Sequence, residues 1–156
     1  MPRAYLLAVC SGSSVDRELN NVSLFNLVEQ VAVPTLQAGS NLPLELHAYW
    51  EAGPGELNAG FECRFVLLRD GEVSGSPSPA IRFQQDAPRV RARLLGLPVP
   101  GSGPHRLGVE WRRLCEGEEP WTREAALWPI AFDAGALVAS AAADQGGAAA
   151  QGGDRA

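Results

Sequence analysis

The stretch that decides the fold reads LELHAYWE and occupies residues 44–51. Apolar residues hold every second position in it, and Glu45, His47 and Tyr49 stand between them. Successive side chains of a β-strand point to opposite faces of the sheet. The pattern therefore predicts a strand with a buried inner face and an outward face that carries His47 and Tyr49.

Similar alternation recurs along the chain on both sides of this stretch. The segment 22–33 also has apolar residues at helical spacing, and the neighbouring strands decide in favour of a strand there. Asp70-Gly71 is typical of a two-residue hairpin turn. These features predict an antiparallel two-sheet β-sandwich of about eight strands, immunoglobulin-like or related. Beside residues 44–51, strands are expected within residues 4–10, 22–33, 61–69, 72–79, 80–84, 89–95, 105–114 and 121–132.

Connectors rich in polar residues, Gly or Pro separate the predicted strands. We expect a loop at residues 11–21, a connector at 34–43 and a break between strands at 96–104, where three prolines stand among three glycines. Residues 134–156 are rich in Ala and Gly and are predicted to form a disordered tail. The expected organisation is one β-sandwich domain at residues 1–133, followed by this tail.

Large aromatic side chains fall on the predicted inner faces of the strands. Each such ring buries about 150–250 Å² of surface, and burial stabilises by ~25 cal/mol per Å². A core of this size holds a sandwich together without disulfides. The predicted core aromatics are Trp50, Phe61, Phe65, Phe83, Trp111, Trp128 and Phe132.

Composition excludes several classes of function. The 156-residue chain has a formal net charge of −5, and all thirteen of its basic residues are Arg. A chain without Lys has no Schiff-base lysine and no P-loop lysine. Cys10, Cys63 and Cys115 are widely spaced, and an odd count without a recognisable signal peptide predicts reduced thiols and a cytoplasmic location. No stretch approaches the ~20 apolar residues of a membrane-spanning helix.

Three segments carry a distinctive order of motifs. The first runs from Cys10 to Pro34 and contains DRELNNVSLFNLV, the second reads FECRFVLLRDG at residues 61–71, and the third reads GLPVPGSGPHRLGV at residues 96–109. Together they resemble a family of small, uncharacterised bacterial proteins. The resemblance covers about residues 4–132 and implies a β-sandwich, and it carries over no active site.

No catalytic, cofactor or metal site is predicted. His47 is expected on an outward strand face and His105 at the start of a strand, both as surface or edge residues, and neither lies in a nucleophile motif. Cys63 is interpreted as a small core residue, and Cys10 as a structural residue at the end of a strand. The acidic loop at residues 116–119 is interpreted as a solvated loop, because it lacks the spacing of a calcium site. We therefore expect a protein that is not an enzyme.

The charge distribution is the most suggestive feature for function. Arg89, Arg91 and Arg93 share one strand face, and residues 62–113 carry a net charge of +4 while the remainder carries −9. Such a stripe can bind an acidic protein surface or phosphates, or it can pair with acids on neighbouring strands. Nucleic acid is disfavoured because no aromatic residues alternate with these arginines as stacking platforms.

Tyr49 and Trp121 are candidate exposed anchors, since aromatic residues and Arg are favoured at interface hot spots. The sequence thus predicts a protein-interaction or structural module of a bacterial assembly, with a protein partner that it does not identify. The first alternative is a sandwich that binds a small molecule or carbohydrate through Tyr49 or Trp121. The second is a small hydrolase that uses His47 or His105. The oligomeric state stays open.

Overall fold

The computed structural model describes residues 1–16, 18–19, 21–32, 41–75, 80–83, 88–98, 101–115 and 119–133. Within these ranges the chain is all-β, as predicted, and no helix that could cross a membrane occurs in them. The predicted tail at 134–156 lies outside the described residues. The strands are β1 (Arg3–Asp16), β2 (Asn21–Leu27), β3 (Gln30–Ala32), β4 (Asn41–Glu51), β5 (Gly60–Arg69), β6 (Glu72–Gly75), β7 (Ala80–Arg82), β8 (Arg89–Pro98), β9 (Gly103–Arg113) and β10 (Thr122–Asp133).

The strands form two sheets, as the sequence predicts. Sheet A has the order β2-β1-β4-β8, and sheet B has the order β3-β10-β9-β5-β6. The short strand β7 also belongs to sheet B and pairs with the opposite end of β5 from β6. Every pairing is antiparallel except that of β3 with β10, which is parallel. The prediction of a wholly antiparallel arrangement is therefore wrong for one pair.

The core lies between the sheets and contains the predicted aromatic side chains. Phe61 meets Phe83 and Trp111 edge to face, at centroid distances of 5.5 and 5.8 Å. Six of the seven predicted rings are buried, and Trp128 is half-buried against the core with its indole N–H donating to the carbonyl of Val28 at 2.8 Å. The predicted inward faces are thus confirmed.

The predicted single strand at 22–33 is two strands in different sheets. β2 pairs with β1 in sheet A, and β3 pairs with β10 in sheet B. Asn26 adopts a positive φ of 50°, and the chain changes sheets across the two residues that follow β2. Because the segment turns from one sheet to the other, its apolar residues do not follow one strand period, which explains the ambiguous spacing in the sequence.

Three predicted connectors also contain strand. β1 continues through the polar stretch after Cys10 to Asp16 and pairs there with β2. β8 continues to Pro98, because Gly96 adopts a positive φ of 90° opposite a β-bulge in β4 and so lets the strand pass a register shift. β4 likewise begins at Asn41, inside the predicted connector at 34–43, of which residues 34–40 are not described.

The predicted hairpin turn is confirmed. Asp70 and Gly71 have φ values of 52° and 88°, and they join β5 to β6 with Arg69 paired to Glu72. Positive φ at both central residues is the geometry of the two-residue type I′ turn, which matches the twist of paired strands. Local sequence therefore determines this turn and the register beside it.

His105 is not the surface or edge residue that the sequence predicts. It is 4% exposed, its Nδ1 lies 3.0 Å from the carbonyl oxygen of Gly103, and its ring meets Phe132 edge to face at 5.3 Å. The side chain points inward because it shares the strand parity of Leu107. An apolar ring and a backbone carbonyl thus hold this imidazole in the interior.

Candidate functional site

The outer face of sheet A, which points away from the core, gathers most of the predicted site residues. Leu46, Ala48 and Trp50 of β4 point into the core, so the residues between them point outward. The strand register places their partners on the same face. This face comprises Arg3, Tyr5, Leu6, Ala8 and Cys10 of β1, Phe25 and Leu27 of β2, Glu45, His47, Tyr49 and Glu51 of β4, and Arg89, Arg91, Arg93 and Leu95 of β8.

The arginine stripe does share one face, and acids on β4 pair with two of its members. Arg93 Nε donates to one carboxylate oxygen of Glu45 at 3.0 Å, and its Nη2 donates to the other at 2.7 Å. Arg89 pairs with Glu51 at 3.2 Å in an exposed ion pair. Arg91 has no carboxylate partner among the described residues. The stripe is therefore paired with carboxylates at both ends and carries a surplus charge at its centre.

Tyr49 lies beside that surplus charge. The guanidinium of Arg91 is 6.0 Å from the Tyr49 ring centroid, and the Tyr5 ring meets Tyr49 edge to face at 6.0 Å. Tyr49 is half-buried, and burial raises the pKa of its phenol. Four of the five predicted partner-binding residues, including Tyr49, thus lie on the outer face of sheet A.

A polar group that we call the Glu45 cluster occupies the centre of this face. It consists of Cys10, Ser13, Glu45, His47 and Arg93. The Ser13 hydroxyl donates to Glu45 Oε2 at 2.6 Å, and the same oxygen lies 3.0 Å from His47 Nε2. The Cys10 sulfur, a Glu45 oxygen and a His47 ring nitrogen all lie within 4.8 Å of one another.

Three members of the Glu45 cluster, Cys10, Glu45 and His47, are buried although they face away from the core. Cys10 and His47 are 0% exposed, which corrects the prediction of a surface position for His47. Two exposed leucines are their direct cross-strand partners: Leu27 pairs with Cys10, and Leu95 pairs with Glu45.

Electrostatics fix the charge states in the cluster. The hydrogen bonds from Arg93, with those from Ser13 and His47, lower the pKa of Glu45 to about 2, against the opposing effect of burial. Burial lowers the pKa of His47, although the Glu45 carboxylate opposes that shift. At neutral pH the cluster therefore contains an ionised Glu45 and a neutral His47.

None of the three cysteines has the environment of an activated thiolate. Burial raises the pKa of Cys10, and it raises that of Cys63 to about 12. The pKa of the exposed Cys115 is also raised, and Glu119 contributes to that shift. All three cysteines lie in the described part of the chain and none is in a disulfide. A nucleophilic thiol needs a stabilised thiolate, so thiol catalysis is not supported.

Trp121 lies apart from the other predicted residues, on the outward side of sheet B. The guanidinium groups of Arg64 and Arg112 lie 4.3 and 4.5 Å from its ring centroid. The buried Glu110 pairs with Arg64 at 2.6 Å and with Arg123 at 2.8 Å. The structure thus divides the predicted site between the two sheets, and the Trp121 ring already has cationic neighbours.

A groove of about 610 Å³ is present on the sheet B side, near the turn between β5 and β6. Asp70, Arg106, Arg123 and Leu127 are among its lining residues. It contains neither Tyr49 nor Trp121, so the groove does not join the residues on which the carbohydrate-binding alternative rests.

Sequence reasoning missed Glu45, Cys10 and Ser13 as members of a site. One local signal existed, because Glu45 and His47 stand two residues apart on an alternating strand and must share a face. Nothing local shows that Cys10 pairs with Glu45 across β1 and β4.

No protein-family model, no curated protein and no solved structure matches this chain.

Proposed function

We propose that the protein is a non-enzymatic interaction module that binds an acidic protein surface through the outer face of sheet A. One observation carries the proposal: five exposed apolar side chains lie on the same sheet face as the arginine stripe. Exposed apolar residues that gather on one face beside polar groups are typical of an interaction surface. The exposed fractions are 47% for Tyr5, 41% for Leu6, 49% for Phe25, 56% for Leu27 and 68% for Leu95.

Charge on the face supports an acidic partner. The stripe and Arg3, which pairs in register with Glu51, place four arginines on the face against the two carboxylates of Glu45 and Glu51. The whole chain has the opposite sign, with a net charge of −5. Complementary potentials guide association and exclude like-charged partners. Arg91 contributes the surplus charge, and its neighbour Tyr49 adds aromatic contact area.

The test uses a variant that changes the face without breaking the Glu45 cluster. In the face variant, Leu27→Ser and Leu95→Ser remove apolar contacts and Arg91→Gln removes charge. Leu114→Ser and Arg106→Gln provide the control, since both side chains are exposed and lie away from sheet A. Arg106 lies on β9 of sheet B, and Leu114 directly follows that strand. Circular dichroism first verifies that both variants fold.

The full chain is then used to capture proteins from an extract of its host at several salt concentrations. We expect an acidic protein that wild type and the control variant both retain, that the face variant retains at least tenfold less, and that added salt releases. Equal retention by the face and control variants would show that this face is not the binding surface.

Sedimentation of the purified chain tests the competing occupant, a second copy of the protein. We expect a monomer, because the proposal commits to a different, acidic partner. A dimer that the face variant dissociates would overturn the acidic partner and assign the face to self-association.

A further inference from the structure

The Glu45 cluster has chemistry that protein binding does not use. Cys10, Glu45 and His47 supply a thiol, a carboxylate and an imidazole, with one ligand atom from each within 4.8 Å of the others. Thiolate sulfur, imidazole nitrogen and carboxylate oxygen are the three donor types that zinc uses in proteins. The arrangement joins two adjacent strands, since Cys10 and Glu45 are direct partners of β1 and β4.

A second observation concerns the two ring nitrogens of His47. Nε2 lies 3.0 Å from Glu45 Oε2 and is therefore the nitrogen next to the carboxylate. Nδ1 is buried and has no hydrogen-bond partner among the described residues, so none of them prevents the ring proton from residing on Nδ1. In that tautomer the lone pair of Nε2 is directed toward Glu45 and can bind a metal ion.

We propose that Cys10, Glu45 and His47 bind a divalent zinc-class ion on the outer face of sheet A, independently of the proposed protein binding. Thiolate and imidazole donors favour zinc over calcium or magnesium, which require oxygen ligands. Metal–ligand bonds of about 2.0–2.3 Å draw the three donor atoms closer together through small side-chain rotations. A water molecule completes a four-coordinate site.

Arg93 and Ser13 have supporting roles in this site. Arg93 Nη2 donates to Glu45 Oε1 at 2.7 Å, which leaves Oε2 as the oxygen next to the imidazole. A partner that holds the outer oxygen orients the ligating carboxylate, as outer hydrogen bonds commonly do at metal sites. When the metal binds, the Ser13 hydroxyl and Arg93 Nε no longer donate to Oε2, and this oxygen becomes the metal ligand.

Binding releases one proton. The Cys10 S–H bond breaks, its proton leaves to solvent, and the sulfur–metal bond forms with the electron pair of the thiolate. Glu45 is already an anion and loses no proton. His47 is already neutral, and its ring proton moves from Nε2, which donates to Glu45 before binding, to Nδ1, so that Nε2 can bind the ion. The two anionic ligands balance the charge of the ion, and the guanidinium of Arg93 remains beside the site.

The experiment uses the full chain, purified with a chelator that is then removed, and titrated with Co²⁺ as the spectroscopic probe. We expect a thiolate-to-cobalt charge-transfer band that saturates at one equivalent, that Zn²⁺ abolishes, and that Cys10→Ser eliminates. Cys115→Ser is the matched control, since Cys115 is exposed, and this variant should keep the band. Absence of the band in wild type, its survival in Cys10→Ser, or its loss in Cys115→Ser would overturn the site.

Thermal unfolding with and without Zn²⁺ provides an independent readout. An ion that binds only the folded state raises the unfolding midpoint, and the stabilisation grows with the logarithm of the ion concentration relative to its dissociation constant. We expect Zn²⁺ to raise the midpoint of wild type and Cys115→Ser, and to leave Cys10→Ser and His47→Gln unchanged. If a cluster variant does not fold, the wild-type titration decides alone: an unchanged midpoint overturns the proposal.

Discussion

Replacement of Arg93 by Gln should destabilise the protein far more than the same change at Arg89. Both arginines lie on the outer face of sheet A and pair with glutamates of β4. The partners differ in burial: the Glu45 side chain is 11% exposed, whereas that of Glu51 is 48% exposed. Removal of Arg93 leaves a buried carboxylate without its two guanidinium hydrogen bonds.

The two losses differ in size for this reason. Breaking a fully buried ion pair costs about 3–5 kcal/mol, and an exposed pair contributes about 0–1 kcal/mol. Arg93 is itself 42% exposed, so solvent screens part of the interaction. Ser13 and His47 still hydrogen-bond the carboxylate in the variant. We therefore expect a loss of about 2–3 kcal/mol for Arg93→Gln and under about 1 kcal/mol for Arg89→Gln.

Urea unfolding at pH 7 measures both losses of unfolding free energy. The two variants can be compared if the slope of unfolding free energy against urea concentration stays unchanged. The pH dependence gives a second check. The folded pKa of Glu45 is lowered from 4.5 to about 2, so its stabilising contribution is complete above pH 4.5 and is lost as the pH falls toward 2. The difference in unfolding free energy between wild type and Arg93→Gln should therefore become smaller as the pH falls from 4.5 toward 2. Equal destabilisation by Arg93→Gln and Arg89→Gln at pH 7 would refute the reasoning.

Three further predictions follow from burial and packing on the rest of the sandwich. Glu110→Gln should cost about 2 kcal/mol in urea unfolding and clearly more than Glu62→Gln, because Glu110 is 3% exposed and pairs with two arginines. Gly108→Ala should lower the thermal midpoint by the equivalent of about 1–2 kcal/mol, because the added Cβ would lie 3.1 Å from the Leu127 side chain and 3.3 Å from that of Val66. Gly12→Ala is the control and should be tolerated, since a Cβ at Gly12 meets no atom within 4 Å. Alkylation of the native protein, read by mass spectrometry, should modify Cys115 and spare the two buried thiols; rapid modification of all three would contradict the described burial.

Local pattern was sufficient for the strands that have one buried face. The alternation at residues 44–51 and 61–69 predicts β4 and β5 and their core-facing side chains, because alternate residues from Leu46 to Trp50 and from Phe61 to Leu67 pack between the sheets. The same reasoning failed at residues 22–33, where the chain changes sheets and no single period applies. It also failed at Gly96, whose positive φ allows β8 to continue past a bulge.

The candidate site was only half visible in the sequence. Alternation places His47, Tyr49 and the arginine stripe on outward faces, and it predicts correctly that Arg89, Arg91 and Arg93 share one of them. Pairing between strands distant in the chain then decides what these residues touch. Because residue identity does not reveal register, the burial of His47 and the contacts of Glu45 with strands β1 and β8 were not predictable.

The amino-acid sequence alone determined the all-β class, the inward faces and the hairpin at Asp70-Gly71, since each depends on interactions within a few residues or on a period of two. Only the tertiary structure decided which strands are neighbours, that one pair is parallel, and that Cys10, Glu45 and His47 meet on the outer face of sheet A. The physical reason is that alternation specifies which way a side chain points, while the partner it finds there depends on how strands far apart in the chain align.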